Sequence, residues 1–423
     1  MIRKPTAKPR VRGCCFSPVD PGTPSSTAER SIQESASMHI AVIGLGPAGA
    51  LLAHRAATTG WTVDAYDPRC EVAPTGDLLL PRWTNTYGVF LDGLPAWART
   101  VLTFSAVSPA LEVHTPRRRT LTGRPYGMID RDATRQRLST AGKRLNLHRR
   151  KIDDLDPGLL EVDVVVDCRG VVDRPGGIRQ IAYGVVLEPG EHDVPPVFMD
   201  WRPAAPDEDP AELPDPPSFL YVQPVEDGML YEETILVTRE QTRPMTDLLK
   251  RRLTARVPAV GAGVEPSPVI TTETVHFPVD RRVRGWYTGI RDGIAVFGAA
   301  GGMTHPATGY SVAESAATVD RMLHLLEHGT LPRRERLSAA LAHRLRLFGA
   351  ELVTVSDGPT LRRFFDAFFD LPPRLQSSYL AGQHGGRVAV TMLSLARYPR
   401  RVLPFLRPLP GVLRDMFFAR RSS

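Results

Sequence analysis

The chain is poor in cysteine, with four in 423 residues: Cys14, Cys15, Cys70 and Cys168. None forms a C-x-x-C pair or lies at ligand spacing from a histidine, which argues against structural zinc and a disulfide framework and makes a reducing cytoplasm the expected location. No run of about 18 apolar residues occurs, so no helical membrane span is expected. Aromatic residues are sparse at 7%, and the basic excess of +7 gathers toward the two ends. A basic patch interleaved with aromatics is therefore missing, which argues against nucleic acid as a partner. The apolar fraction of 42% is that of an ordinary globular chain with room for two domains or one large one.

Residues 1–37 are rich in Arg, Lys, Pro and Ser and lack the apolar stretch of a signal peptide, so they read as a disordered basic extension. Met38 stands directly before the first strand pattern, which leaves Met1 and Met38 as alternative starts.

From His39 onward the order is strand, glycine turn, helix, strand, acid. The apolar run His39–Ile43 enters Gly44-Leu-Gly46-Pro-Ala-Gly49, a helical pattern follows to Thr59, and Trp61–Tyr66 ends at Asp67. A G-x-G-x-x-G turn in this context predicts a dinucleotide site. Its glycines allow a tight turn and close backbone approach, the helix start faces a pyrophosphate, and Asp67 accepts from a ribose. NAD and FAD share that fingerprint. Two later segments favour FAD: the strand Asp163–Asp167, closing on Gly170, and the strand Gly293–Gly298, which passes into a glycine-rich helix start containing His305 and Gly309. The expected fold is α/β, a discontinuous Rossmann-like FAD-binding domain (38–180 and 289–330). An inserted antiparallel-sheet substrate domain (181–288) and a helical C-terminal region with a basic apolar tail (331–423) complete it.

The inserted sheet carries two adjacent acids, Glu232 and Glu233, in the apolar stretch Gly228–Val237. Strand alternation puts Leu230, Glu232, Thr234 and Leu236 on one face and Tyr231, Glu233, Ile235 and Val237 on the other. A buried carboxyl is held protonated, hydrogen-bonded or paired with a cation. Proton source and structural ion pair to an arginine are both open on these residues alone. The end of the chain mixes large apolar residues with arginine, which fits peripheral contact with an anionic membrane, while Pro404, Pro408 and Pro410 equally fit a partly packed, solvated tail.

Several segments together resemble the lycopene cyclase family. They are Trp83-Thr-Asn-Thr-Tyr-Gly-Val-Phe, Pro125-Tyr-Gly-Met-Ile-Asp-Arg131, Gln180-Ile-Ala-Tyr-Gly184, Met199-Asp-Trp-Arg202, Leu230-Tyr-Glu-Glu-Thr234, Gly301-Gly-Met-Thr-His-Pro-Ala-Thr-Gly-Tyr310 and Phe364-Phe-Asp-Ala-Phe-Phe369. The resemblance covers Met38 to about Leu380, in order. It implies a non-redox ring closure of a hydrophobic isoprenoid such as lycopene, begun by protonating a terminal double bond, with FAD in reduced form and NAD(P)H as reductant only. It further implies a catalytic role for the Glu232–Glu233 segment and cofactor binding by Gly44, Gly46, Gly49, Asp67, Arg131, Gly298, His305 and Gly309. Asp200, Trp201 and Tyr231 are the expected substrate contacts. We assign Glu232 as general acid and Glu233 as its support, paired with an arginine such as Arg202 or Arg131 or, were a bulge to turn the strand, as the acid itself. His305 is expected to position the flavin site rather than transfer protons.

The chain departs from the family at Phe277-Pro-Val-Asp-Arg-Arg282, charged where the family is apolar and glycine-rich, and at Tyr231 in place of leucine. Both departures bear on the substrate more than on the reaction. A shorter polyprenyl substrate, a flavin-dependent monooxygenase or prenyl reductase of the same fold, and a non-catalytic carotenoid-binding flavoprotein are the alternatives.

Overall fold

Why the chain begins as it does is visible in its first turn. The β-rich run His39–Ile43 forms a strand, Gly44 takes a left-handed φ of +94°, and Pro47 opens the helix Pro47–Thr58, where its fixed φ suits the first helical position and its missing N–H costs nothing. The computed structural model describes residues 37–188, 194–203, 215–259, 268–279, 283–306, 308–381 and 384–418. The N-terminal extension, most of the acidic loop between Pro203 and Pro217, the charged departure at 280–282 and the last residues of the tail lie outside them.

Five parallel strands form the first sheet, in the spatial order Ile294–Val296, Val164–Asp167, His39–Ile43, Thr62–Tyr66, Leu145–His148. The central strand is apolar from Ile40 to Ile43 because both its faces are covered: Ile40, Val42, Leu51, Val63, Val166 and Val319 share one core, and Ala41 and Ile43 pack with Ile152 and Leu160 in another. The helix Val312–His328 packs beside the first helix and is tied to it by Arg55 Nε and Asp320 Oδ1 at 2.7 Å. The return of the chain to this sheet at Ile294, after more than a hundred residues elsewhere, is the discontinuity expected from sequence.

The second sheet has eight strands in the order Val269–Val279, Ile178–Leu187, Gly228–Thr238, Phe219–Val225, Val197–Asp200, Phe104–His114, Arg118–Ile129, Gly88–Phe90. Its pairings are antiparallel except where Val197–Asp200 lies parallel to Phe104–His114. This corrects the expected boundaries. Three strands from the first segment, between Gly88 and Ile129, complete the sheet that 181–288 was expected to form alone, because Phe104–His114 bonds directly to Val197–Asp200. Residues from Met38 onward accordingly cluster as one unit.

Helix Thr242–Ala259 covers one face of this sheet, with Leu249 against Ile181 and Ile235, and Leu253 against Tyr231. The C-terminal helices cover another part. Phe365 stacks on Trp201 at 5.4 Å, and Phe364 on Phe405 at 4.0 Å. Asp366, the residue after Phe365, accepts hydrogen bonds from Thr115 Oγ1 (2.8 Å), Arg117 Nη2 (3.1 Å) and Arg401 Nη1 (2.7 Å). The Phe364–Phe369 segment thus clamps the helices to the Phe104–Ile129 hairpin.

Candidate active site

A cavity of about 600 Å³ runs between the two sheets. At one end its wall is the glycine turn, with Gly44, Gly46, Gly49 and Asp67. The three glycines have separate physical reasons. A Cβ on Gly49 would lie 2.0 Å from the Gly44 carbonyl oxygen, and one on Gly44 2.8 Å from the backbone of Cys168 and Arg169, so both are needed for the close crossing of helix and strands. A Cβ on Gly46 would meet nothing within 4 Å. Gly46 therefore opens the cavity rather than serving the fold. It is also the N-cap, with no side chain capping the helix behind it, so the first-turn N–H groups and the positive end of the helix are left for an anion. These features fit the pyrophosphate of a dinucleotide.

Asp67 is buried at the end of the second strand and is more engaged than expected. It accepts from the Leu45 N–H (3.0 Å) and from Arg69 Nε (3.1 Å) and Nη2 (3.0 Å). Burial works to raise it, and the Arg69 hydrogen bonds with the two backbone donors outweigh burial, holding it below the usual carboxylate range. It remains an acceptor at the cavity wall.

At the other end the strand Gly228–Thr238 alternates regularly. Leu230, Glu232, Thr234 and Leu236 line the cavity. Glu233 lies on the opposite face, fully buried under helix Thr242–Ala259. There Arg256 Nε stands 3.1 Å from its Oε2, and Ser218 Oγ, itself bonded by Arg252 Nη1 at 2.9 Å, donates to its Oε1 at 2.6 Å. Burial raises Glu233, while Arg256 and then Ser218 pull it back. Its partner is thus Arg256, not Arg202 or Arg131.

Glu232 has no such cation among the described residues. Burial first, and the carboxyl of Glu273 second, raise it well above the ordinary carboxylate value, against a 2.9 Å hydrogen bond donated by Thr234 Oγ1. Around it stand phenols from three elements. Tyr221 donates to Tyr126 Oη at 3.1 Å, and Tyr126 and Tyr310 hydroxyls are 3.1 Å apart. Burial raises all three well above the usual phenol value, so they stay neutral. Neutral phenols and aromatic faces line a space that tolerates positive charge without offering a strong base.

Glu273 and Tyr221 were not singled out from sequence, and Thr86 and Tyr126 stood in family-like segments without an assigned role. The one signal for Glu273 is an acid within the β-branched run Val269–Val275, which alternation places on the same face as Thr271 and Val275.

Three expected substrate residues lie elsewhere, a correction. Trp201 is fully buried between Phe219 and Phe365, Tyr231 packs beneath Leu253, and Asp200 is buried in a bidentate pair with Arg202 (Nη2 to Oδ2, 2.6 Å). Tyr231 follows from alternation with Glu232. Trp201 and Asp200 lie under the C-terminal helices and helix Thr242–Ala259, whose Arg256 donates to the Asp200 carbonyl oxygen at 3.0 Å.

Of the expected cofactor residues, Gly309 lines the cavity, whereas Arg131, Gly298 and His305 stand behind its wall. Arg131 Nη1 donates to the Thr84 carbonyl oxygen at 3.1 Å, fixing the segment that carries Thr86 and Tyr87. Gly298, at φ +63°, would bring a Cβ within 2.6 Å of Ala48 Cβ, so it permits the return strand to approach the first helix. His305 is fully buried against Tyr379, and its carbonyl oxygen accepts the Gly309 N–H at 2.8 Å, shaping the turn that presents Tyr310.

Residues 39–395 match the family described as lycopene cyclase protein. The chain is 28% identical over 423 residues to neoxanthin synthase, chloroplastic, of Solanum lycopersicum, an alignment covering 90% of this chain and 79% of that protein. It is 29% identical over 393 residues to lycopene beta cyclase, chloroplastic, of Arabidopsis thaliana, covering 81% and 74%. Among solved structures the halogenase PltM has a TM-score of 0.50 at 12% identity, covering 89% of this chain and 94% of that one, a likeness of fold alone.

Proposed function

This chain belongs to the lycopene cyclase protein family, and from that premise we propose that it closes a ring on a linear isoprenoid, lycopene or a related polyene, with Glu232 as general acid. The observation that carries the reading is the position of Glu232: on the cavity face of its strand, without a cation among the described residues, in a space continuous with an open glycine turn.

The Glu232 proton adds to the terminal double bond and leaves a tertiary carbocation. A neighbouring double bond supplies its electron pair to close the ring, and a proton lost from the adjacent carbon restores neutrality, so the molecular formula does not change. Protonating an alkene near neutral pH needs a carboxyl whose proton is retained, which burial and a second carboxyl provide here. Tyr126, Tyr221 and Tyr310 keep bulk water and strong bases from the cation. Gly44, Gly46, Gly49 and Asp67 would hold FAD, with Gly309 at the same wall. FAD bound in reduced form would place negative charge near the developing cation, with NAD(P)H as the reductant that keeps it so.

An apolar substrate also needs a route from a bilayer. No helix among the described residues is long and apolar enough to cross one. Leu393, Leu403 and Val390 are exposed at 75%, 60% and 53% near Arg397, Arg400 and Arg407, a combination that supports docking on an anionic surface.

Incubation of the flavin-reduced protein with lycopene and NAD(P)H, in parallel without and with oxygen, tests the reaction. A cyclised product of unchanged mass is expected. A product heavier by oxygen or by two hydrogens, with NAD(P)H consumed in proportion, would place the chain among redox flavoenzymes instead.

A further inference from the structure

The acid that sequence reasoning missed stands opposite the one it found. Strand Ile178–Leu187 lies between Gly228–Thr238 and Val269–Val279, and one of its residues, Gly184, is the register partner of both Glu232 and Glu273. Side chains at one register position of adjacent strands share a face. Any residue but glycine would therefore put its side chain between the two acids. A Cβ on Gly184 would lie 3.3 Å from Glu273 Cγ and 3.4 Å from Glu232 Cβ. Across that gap the two carboxyls face one another, and the charge of Glu273 adds to burial in raising Glu232.

Ionised carboxylates only accept hydrogen bonds, so two of them bond to one another only when a proton lies between them. The far side of Glu273 is fixed. Its Oε2 accepts from Thr86 N–H at 3.1 Å and from Thr86 Oγ1 at 2.7 Å. Its Oε1 is buried and has no hydrogen-bond partner among the described residues. With Oε2 occupied by two donors, the acidic proton belongs on the facing oxygens.

We propose that Glu273 is a positioning residue for the acid: it and Glu232 share one proton across Gly184, and the Thr86 hydrogen bonds hold Glu273 as the acceptor so that the proton resides on Glu232. The inference rests on the reading of Glu232 as general acid and extends it. The titratable groups that face the pair are phenols, Tyr126, Tyr221 and Tyr310 toward Glu232, and Tyr87 and Tyr221 toward Glu273. Arg124 acts on Tyr310, and Arg131 and Arg69 on Tyr87, each one group removed from the carboxyls. Removing the second carboxyl thus leaves no other anionic side chain among the described residues to hold the proton on Glu232, and its loss moves to lower pH.

The test uses the full-length flavin-bound protein and Glu273→Gln, Glu273→Ala, Glu273→Asp and Gly184→Ala. Isotope-edited infrared spectroscopy follows the protonated-carboxyl band against pH without substrate, and kcat/KM against pH is measured alongside. In Glu273→Gln and Glu273→Ala the band and the alkaline limb of activity should both move to lower pH by about one unit or more, a roughly tenfold loss of the protonated form above the limb. Glu273→Asp should restore most of the wild-type profile. Gly184→Ala, which keeps both acids and sets a methyl between them, against Leu230 Cδ1 as well, should move the band in the same direction. A band that stays in place in all the folded variants, with activity lowered evenly at every pH, would show Glu273 to be structural and overturn the proposal. A wild-type protein that cyclises no isoprenoid overturns the function proposed above, while the band still decides the shared proton.

Discussion

Glu232 and Glu233 are neighbours in sequence and stand on opposite faces of one sheet, the first open to the cavity and the second fully buried 3.1 Å from Arg256 Nε. The same side chain therefore has two different fates under the same substitution. Glu233→Gln leaves Arg256 buried without its counter-ion, which costs roughly 3–5 kcal/mol when such a pair is broken. Denaturant unfolding should show that loss, with kcat per folded molecule largely kept. Glu232→Gln should cost no stability and lose roughly 10²–10⁴-fold in rate, the contribution of a positioned acid. Reversal of the two outcomes would mean that the strand is turned over in the working enzyme.

The raised Glu232 carboxyl also makes a stability prediction. Its folded-state value lies above the unfolded one, so the folded protein binds more protons between the two values, and stability falls as pH rises through that window. The contribution is fully present below the unfolded carboxylate range and is lost upward through the raised value. Glu232→Gln removes the titration. Thermal melts of that variant should show a flatter decline with rising pH than wild type and a higher melting temperature at neutral pH. Equal pH slopes in the two proteins would refute the raised value.

Local pattern carried much of this site and long-range register carried the rest. The strand–turn–helix–strand order around Gly44 and Asp67 needs only period and turn chemistry, and the split of Glu232 from Glu233 needs only alternation. Both are contained in continuous segments, His39–Asp67 and Gly228–Val237. The partner of Glu233 is an arginine on a helix whose rotation the sequence does not show, so Arg256 was invisible beside Arg202 and Arg131. Glu273 meets Glu232 through a glycine on a third strand, a relation set by two registers at once. Trp201 was expected at the substrate because it stands in a family-like segment, yet Phe365 of the Phe364–Phe369 segment stacks on it and buries it, a contact between residues far apart in the chain.

The glycine turn separates a fold residue from a ligand residue. Gly49→Ala would drive a Cβ into the Gly44 carbonyl oxygen at 2.0 Å, so a marked fall in melting temperature and in soluble yield is expected. Gly46→Ala meets no protein atom within 4 Å. Its melting temperature without flavin should stay near wild type, while the new methyl occupies the space where a pyrophosphate approaches the helix start, and retained flavin, read from absorbance at equal protein, should drop at least tenfold. Full flavin retention by Gly46→Ala would remove this turn from the cofactor site.

The exposed leucines of the C-terminal helices set the last expectation. Leu393 and Leu403 are far more exposed than an internal core would leave them, and Arg397, Arg400 and Arg407 lie close by in sequence. Apolar insertion and charge attraction then act together, and only the second is screened by salt. Co-sedimentation with vesicles containing anionic lipid should exceed that with neutral vesicles and weaken, without vanishing, as salt is raised. Leu393→Ser with Leu403→Ser should abolish the salt-resistant part and leave activity on detergent-solubilised substrate unchanged. Binding that disappears fully in salt, or survives the double substitution, would assign the contact to charge alone or to another face.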